Sequence, residues 1–282
     1  MPQRTTPTQR QRRLGSELRR IRTAAGMSAE IAAGLLGVDR GKISNMESGI
    51  RGISADRLRT LACNCDVTDT QYVDALVELA QSATGWWESY RGILSGGLLD
   101  IAELEWHARR IFTVQTVHVP GLLQTEDYAR SVFDSVLPPL SRQEVELRVR
   151  NRLERQRVLD AEIARPYDGY VHEAALLMQF GGRRVAHEQL DHLCAATERD
   201  HVSLRVIPFA AGAFPGAGHA LLYAEGAVSE LDTAQVDTAH GAEFVHAEAQ
   251  LAKYRAHLAW MDQHCLSVSK SLDLVHRIAK QL

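Results

Sequence analysis

Apolar residues at helical spacing punctuate the first eighty positions. An arginine-rich segment starting near Gln11 runs to Gly26, a glycine placed as a helix ends. Ser28 is an N-cap for the next helix, and Ala32, Ala33, Leu35 and Leu36 give that helix a small apolar face. Gly37 breaks it and Val38 fills the turn. Asp39 caps a third helix with Ile43 and Met46 turned inward, and Gly49 and Gly52 close it. Ser54 caps a fourth helix to about Cys63, with Leu58, Leu61 and Ala62 inward. Thr68 or Asp69 starts a fifth, with Tyr72, Leu76, Leu79 and Ala80 on one face.

Beyond Gly85 the period changes. Trp86 and Trp87 cannot share one helical stripe, so at least one is expected to cover a neighbouring domain or subunit. Gly96-Gly97 marks a break, and Leu98 to Arg110 reads as helix. Ile111 to Val119 alternates with β-branched residues and reads as strand. Thr125 caps a helix through Phe133, and Ser141 caps a long one to about Ala164. Tyr167–His172, Val202–Phe209 and Ala220–Ala224 read as strands, and Val228 to Asp237 adds one or two more. Helices are expected over 187–198, 244–263 and 267–280. Strands interleaved with helices predict a mixed α/β (α+β) body behind an all-α, five-helix head.

The third helix carries the clearest chemistry. Arg40, Lys42, Ser44 and Asn45 lie off its inward face. A helix that reads a DNA groove needs cations for phosphate or guanine and amide or hydroxyl groups for base edges. Charge agrees. Residues 1–68 hold twelve Lys and Arg against six Asp and Glu, whereas residues 69–282 hold twenty against twenty-nine. The whole-chain balance of −3 therefore hides a basic head on an acidic body, and basic heads suit polyanions.

This pattern resembles the lambda-repressor-like, or XRE-type, helix-turn-helix family over roughly residues 14–67, through Ala33, Gly37, Ile43 and Met46-Glu47-Ser48-Gly49. The resemblance implies that the helix from Arg40 to Ser48 enters the major groove. Arg40, Gly41, Lys42, Ser44 and Asn45 would contact bases, and Ser28 and Arg51 would contact phosphate. Arg22 and Glu47 match a pair that ties the first helix to the recognition helix. Where the family commonly has a phosphate-anchoring glutamine, this chain has Ala29, so anchoring shifts to Arg51 and the N-terminal arginines.

The body has its own likeness. WWESY at 86–90, VPGLLQTEDYAR at 119–130, RLERQ at 152–156, HEAAL at 172–176 and VIPFAAGAF at 206–214 follow one order. That order resembles the WhiJ-like, Scr1-type antitoxin-like regulators of actinobacteria. It implies a regulator of development or secondary metabolism, with small partner proteins encoded nearby.

Three domains of sequence follow: a disordered basic arm over 1–13, a helix-turn-helix domain over 14–82 and a regulatory or partner-binding domain over 83–282. No catalytic set, metal site or cofactor is expected. His187, His192, His257 and His264 form no HExxH motif, Cys63-Asn64-Cys65 lacks a second pair, and the loop 212–218 lacks the Lys-Ser/Thr of a phosphate loop. His172-Glu173 reads as rim or core polarity before it reads as an acid–base pair. Glu144 with Arg148 and Glu146 with Arg150 are expected i,i+4 pairs, and Arg148, Arg150, Arg152, Arg155 and Arg157 form a second basic patch, read as a solvated face before a docking one. No apolar run approaches the ~20 residues that span a bilayer, and four cysteines are too few for a disulfide scaffold. The expectation is a non-enzymatic, cytoplasmic, nucleoid-associated homodimer that binds a pseudo-palindromic double-stranded operator. Its body would sense an unidentified effector or dock a small protein, with no membrane contact. The alternatives are an antitoxin-like protein with autoregulatory DNA binding and a DNA-targeted enzyme with an unrecognised site.

Overall fold

The computed structural model describes residues 6–81, 85–238 and 240–282. The chain divides into two compact units, Met1–Ser89 with Ala227–Leu231, and Tyr90–Gly226 with Asp232–Leu282. The first holds α1 (Gln9–Ala24), α2 (Ala29–Leu35), α3 (Arg40–Glu47), α4 (Ala55–Asn64) and α5 (Thr70–Ala80). Each starts on a side-chain oxygen that accepts from a first-turn amide: Thr8, Ser28, Asp39, Ser54 and Asp69. Thr8 forms a capping box with Gln11, so α1 begins at Gln9. Residues 9–13 are therefore the first turns of a helix and not part of a disordered arm. Residues 1–5 of that expected arm lie outside the described residues.

The core of this unit is built from Leu14, Leu18 and Ile21 of α1, Ala32 and Ala33 of α2, Ile43 and Met46 of α3, Leu58 and Leu61 of α4, and Leu76 of α5. Leu231 is buried in the same cluster. Arg13 donates to the Glu230 carbonyl, which brings a second piece of backbone into the unit. Leu35 departs from expectation. Ala32, Ala33 and Leu36 complete the inward stripe, and Leu35 points outward with Ile31.

The second unit runs α6 (Gly96–His107), β1 (Arg110–Gln115), α7 (Glu126–Asp134), α8 (Arg142–Arg155), β2 (Tyr167–His172), α9 (Glu173–Leu177), α10 (Gly182–Ala196), β3 (Val202–Ile207), β4 (Leu221–Glu225), β5 (Thr233–Thr238), β6 (Gly241–Val245), α11 (Glu248–His264) and α12 (Val268–Gln281). The strands form one six-stranded sheet in the order β3-β2-β1-β4-β5-β6. β1 pairs parallel with β2 and antiparallel with β4, so the sheet is mixed. Alternation gives it two apolar faces. Ile111, Val171, Leu204 and Leu222 share a cluster with Leu190 of α10 and Val275 of α12. Val114, Tyr170, Leu221 and Tyr223 share another with Leu251, Leu258 and Met261 of α11. The chain is thus an all-α domain followed by a mixed α/β domain.

Several boundaries moved. α6 takes in Gly96 and Gly97 instead of starting after them. α8 stops at Arg155, and residues 156–159 tighten into a 3-10 turn that buries Val158 and Leu159. That turn explains the slip in the apolar stripe, which periodicity alone reads as continued helix. β6 covers Phe244, where a helix was expected; Gly241 at φ +121 turns the chain back from β5. Among the described residues, no helix is long and apolar enough to cross a membrane.

Candidate nucleic-acid interface

The turn between α2 and α3 follows from three residues. Gly37 adopts φ +62, a region open to glycine. Val38 donates its amide to the Ala33 carbonyl at 2.9 Å and packs its side chain against the core. Asp39 accepts from the Lys42 amide at 2.8 Å and opens α3. Ile43, Met46 and Glu47 then face inward, and Arg40, Gly41, Ser44 and Asn45 form an exposed stripe on the opposite side. This stripe holds four of the five residues expected to read bases.

The fifth, Lys42, is half-buried and lies 2.9 Å from Asp39 Oδ2. Its ammonium holds the Asp39 carboxyl below the usual carboxylate range. Arg40 is also engaged, with Nη1 2.9 Å from Glu30 Oε1. That pair was not foreseen. Both pairs lie at the surface, where solvent screens them and they contribute little. A bidentate contact to guanine contributes ~1–3 kcal/mol, so DNA can displace them. Arg51 and Ser28 are exposed as well. Ser28 Oγ accepts from the Ile31 amide at 3.2 Å, which leaves its hydroxyl proton to donate outward.

α3 is held from behind. Arg22 bridges to Glu47 through Nε and through Nη2, the latter 3.1 Å from Oε2, and its Nη1 donates to the Met27 carbonyl. Arg19 adds a bond to Glu47 at 3.2 Å, a partner that spacing did not reveal. Burial pushes the Glu47 carboxyl up, but the two guanidiniums outweigh it and hold it below its ordinary value. Gly15 gives α1 and α3 their separation. A Cβ there would stand 2.5 Å from the Glu47 carbonyl oxygen and 2.8 Å from that of Met46, so the two helix backbones touch. Two residues along the same helix, Glu17 accepts from Arg13, Arg20 and Tyr72, and burial and that carboxylate push the Tyr72 hydroxyl up.

The second unit corrects two further expectations. Arg148 to Arg157 is not one basic patch. Arg155 is buried in a bidentate pair with Glu105, and Arg152 donates to Gln124 Oε1 from within the protein. Glu144 closes a capping box with Ser141, and Glu146 pairs with Arg130, so neither forms the expected i,i+4 pair. His172 caps α9, its Nδ1 accepting from the Ala174 amide at 3.1 Å, and its ring packs on Phe209 and Phe214. Glu173 accepts from the Phe209 amide at 2.8 Å. Both side chains are occupied by structure. Among the described residues, no three His, Cys, Asp or Glu side chains converge on a metal-sized site.

Comparison with known protein families agrees with this division. Residues 13–76 match a family model described as a helix-turn-helix domain, and residues 98–277 match one described as a domain of unknown function, DUF5753. Neither a curated protein nor a solved structure matches the chain.

Proposed function

The chain belongs to the DUF5753 family, whose domain here follows a helix-turn-helix head, and we propose that it is a sequence-specific, DNA-binding transcriptional regulator. The exposed Arg40–Gly41–Ser44–Asn45 stripe on a rigidly backed α3 carries this reading. In it, α3 lies in the major groove, Arg40, Gly41, Lys42, Ser44 and Asn45 face base edges, and Ser28 and Arg51 hold the backbone. The protein acts as a homodimer on a pseudo-palindromic operator, as two such heads read half-sites one helical turn or a multiple apart. The C-terminal domain performs no catalysis; it senses a small effector or docks a small protein and so sets when the head binds. The likeness to WhiJ-like, antitoxin-like regulators supports the docking variant, and co-purification with the product of an adjacent small gene would favour it.

Two substitutions test the head. Operator sites are first selected from random-sequence DNA with the full-length protein. Arg40→Ala is expected to weaken the selected site by ~1–3 kcal/mol and to relax one base position. An Arg40→Ala protein that binds and discriminates as wild type does removes Arg40 from the readout. Arg51→Ala is expected to weaken all sequences about equally and to reduce the slope of log K against log salt by about one. An unchanged slope means that Arg51 touches no phosphate.

A further inference from the structure

A pocket of about 240 Å³ lies within the second unit, between the β1-β4-β5 face of the sheet and helices α6 and α8. Its floor departs from the apolar pattern of the rest of that face. Thr113 of β1 pairs in register with Leu222 of β4, and Leu222 pairs with Gln235 of β5. Two residues further along β1 and β5, Gln115 and Asp237 extend the polar surface. Thr113 and Gln235 are both at least nine-tenths buried. Burying amides and hydroxyls costs free energy unless they find partners; Thr113 finds one in the Tyr167 hydroxyl at 2.6 Å and Gln235 one in Asp237, so the polar floor is built and satisfied.

The wall is less ordinary still. Arg152 and Arg155 both reach the pocket from α8. Arg155 is neutralised by Glu105, with Nε and Nη2 at 2.7 and 2.6 Å from its two oxygens. Arg152, one turn earlier, makes no ion pair among the described residues. Nη1 donates to Gln124, whose own amide is fixed on the Val119 carbonyl at 2.7 Å. The guanidinium stacks 4.7 Å from the Phe133 ring centre, and Nε is buried without a hydrogen-bond partner. Burial, with Arg155 adding to it, pulls the Arg152 guanidinium down to about 9, still charged at neutral pH. The Glu105 and Asp237 carboxylates offset part of that shift without pairing with Arg152. Of the two acids in the lining, Glu105 is matched by Arg155, and Asp237 sits at the exposed rim, accepting from Gln235 at 2.9 Å.

We propose that this pocket binds a small monocarboxylate, with its carboxylate on the Arg152 guanidinium and its polar atoms on Gln115, Gln124 and Gln235. Charge favours an anion, since Arg152 lines the space and makes no ion pair among the described residues. The planar fork favours a carboxylate, which it can meet with parallel hydrogen bonds. Size limits the rest. The pocket is smaller than the ~300–1,000 Å³ of sites for drug-sized ligands, and Leu98, Ile101 and Leu222 give the remainder an apolar wall. A compact acid with a short apolar body fits this lining. The site deepens the sensing role of the C-terminal domain and depends on that reading only for its regulatory consequence.

The test uses the full chain and ligand-observed NMR with matched acids and amides: acetate and acetamide, pyruvate and pyruvamide, benzoate and benzamide, nicotinate and nicotinamide. Wild type is expected to bind acids in preference to their amides. Arg152→Met is expected to lose that preference, with acid affinity down about 10- to 100-fold. Arg152→Lys keeps the charge and guards against loss of fold; without the fork it is expected to bind about tenfold more weakly than wild type. Acids and amides that bind wild type alike, binding by neither, or an acid preference that survives Arg152→Met overturns the site. Operator affinity measured with and without a bound acid separates the two readings. Acid-selective binding with unchanged operator affinity keeps the site and removes its sensing role.

Discussion

Arg155→Met is expected to destabilise the C-terminal unit by ~3–5 kcal/mol, the loss that follows when one member of a buried ion pair is removed. Glu105 is 1% exposed, and both of its oxygens are held by Arg155. Burial opposes the charge on Arg155, but the Glu105 carboxylate overcomes it and keeps the guanidinium above its ordinary value. Methionine would fill similar space and leave the carboxylate buried without a partner. Replacing both residues, Arg155→Met with Glu105→Leu, removes the charge together with its partner and is expected to recover most of the loss. Urea unfolding reads both, as a shift in midpoint at constant slope. Breaking the exposed Arg184–Glu188 pair serves as the control and is expected to leave the midpoint nearly unchanged, because solvent screens such a pair. An Arg155→Met midpoint equal to that of this control would show that the buried pair contributes nothing.

Gly15→Ala sets two effects against each other. Helix propensity alone predicts a gain of ~1 kcal/mol, because glycine is a poor residue for a helix interior. Packing predicts the reverse. The added Cβ would meet α3 at 2.5–2.8 Å, and the three nearest atoms are all backbone, which cannot swing aside as a side chain can. Overpacking of this kind costs ~1–3 kcal/mol. The expected sum is a net loss, with operator affinity falling as well because Glu47 and Met46, the residues pushed, belong to the recognition helix. Gly34→Ala in α2 is the control: nothing lies within 4 Å of its added Cβ, so only the propensity gain remains. Thermal melting of both variants and operator titration of Gly15→Ala give the answer. A Gly15→Ala protein that gains stability as Gly34→Ala does would mean that α1 and α3 are free to separate.

Legibility in the sequence follows the range of each interaction. Caps act within a turn, and Ser28, Asp39, Ser54, Thr125 and Ser141 stand where spacing puts them. The inward Ile43 and Met46 and the outward Arg40 stripe follow from helical period. Long-range pairing is different. Glu105 meets Arg155 across 50 positions, and no periodicity relates α6 to α8. Hence five arginines on one helix read as a surface, although Arg152 and Arg155 point inward. Gly15 left a signal that could have been read: a glycine inside an arginine-rich helix, far from any turn, is placed there by packing. β6 failed for a local reason. Five residues with one turn glycine are too few for alternation to compete with the helical pattern of α11 beside them.

The pieces of the first unit are far apart in sequence. The five helices end at Ala80, yet Leu231 belongs to their core and Glu230 receives the Arg13 guanidinium. During synthesis the five helices leave the ribosome before Leu231, a core residue that follows some 150 positions later. At ~5–20 residues per second, that interval lasts roughly 7–30 s. For that time the nascent helices carry a gap where Leu231 belongs. A head cut free after the fifth helix would keep that gap permanently, which makes the full-length chain the proper object for measuring DNA affinity.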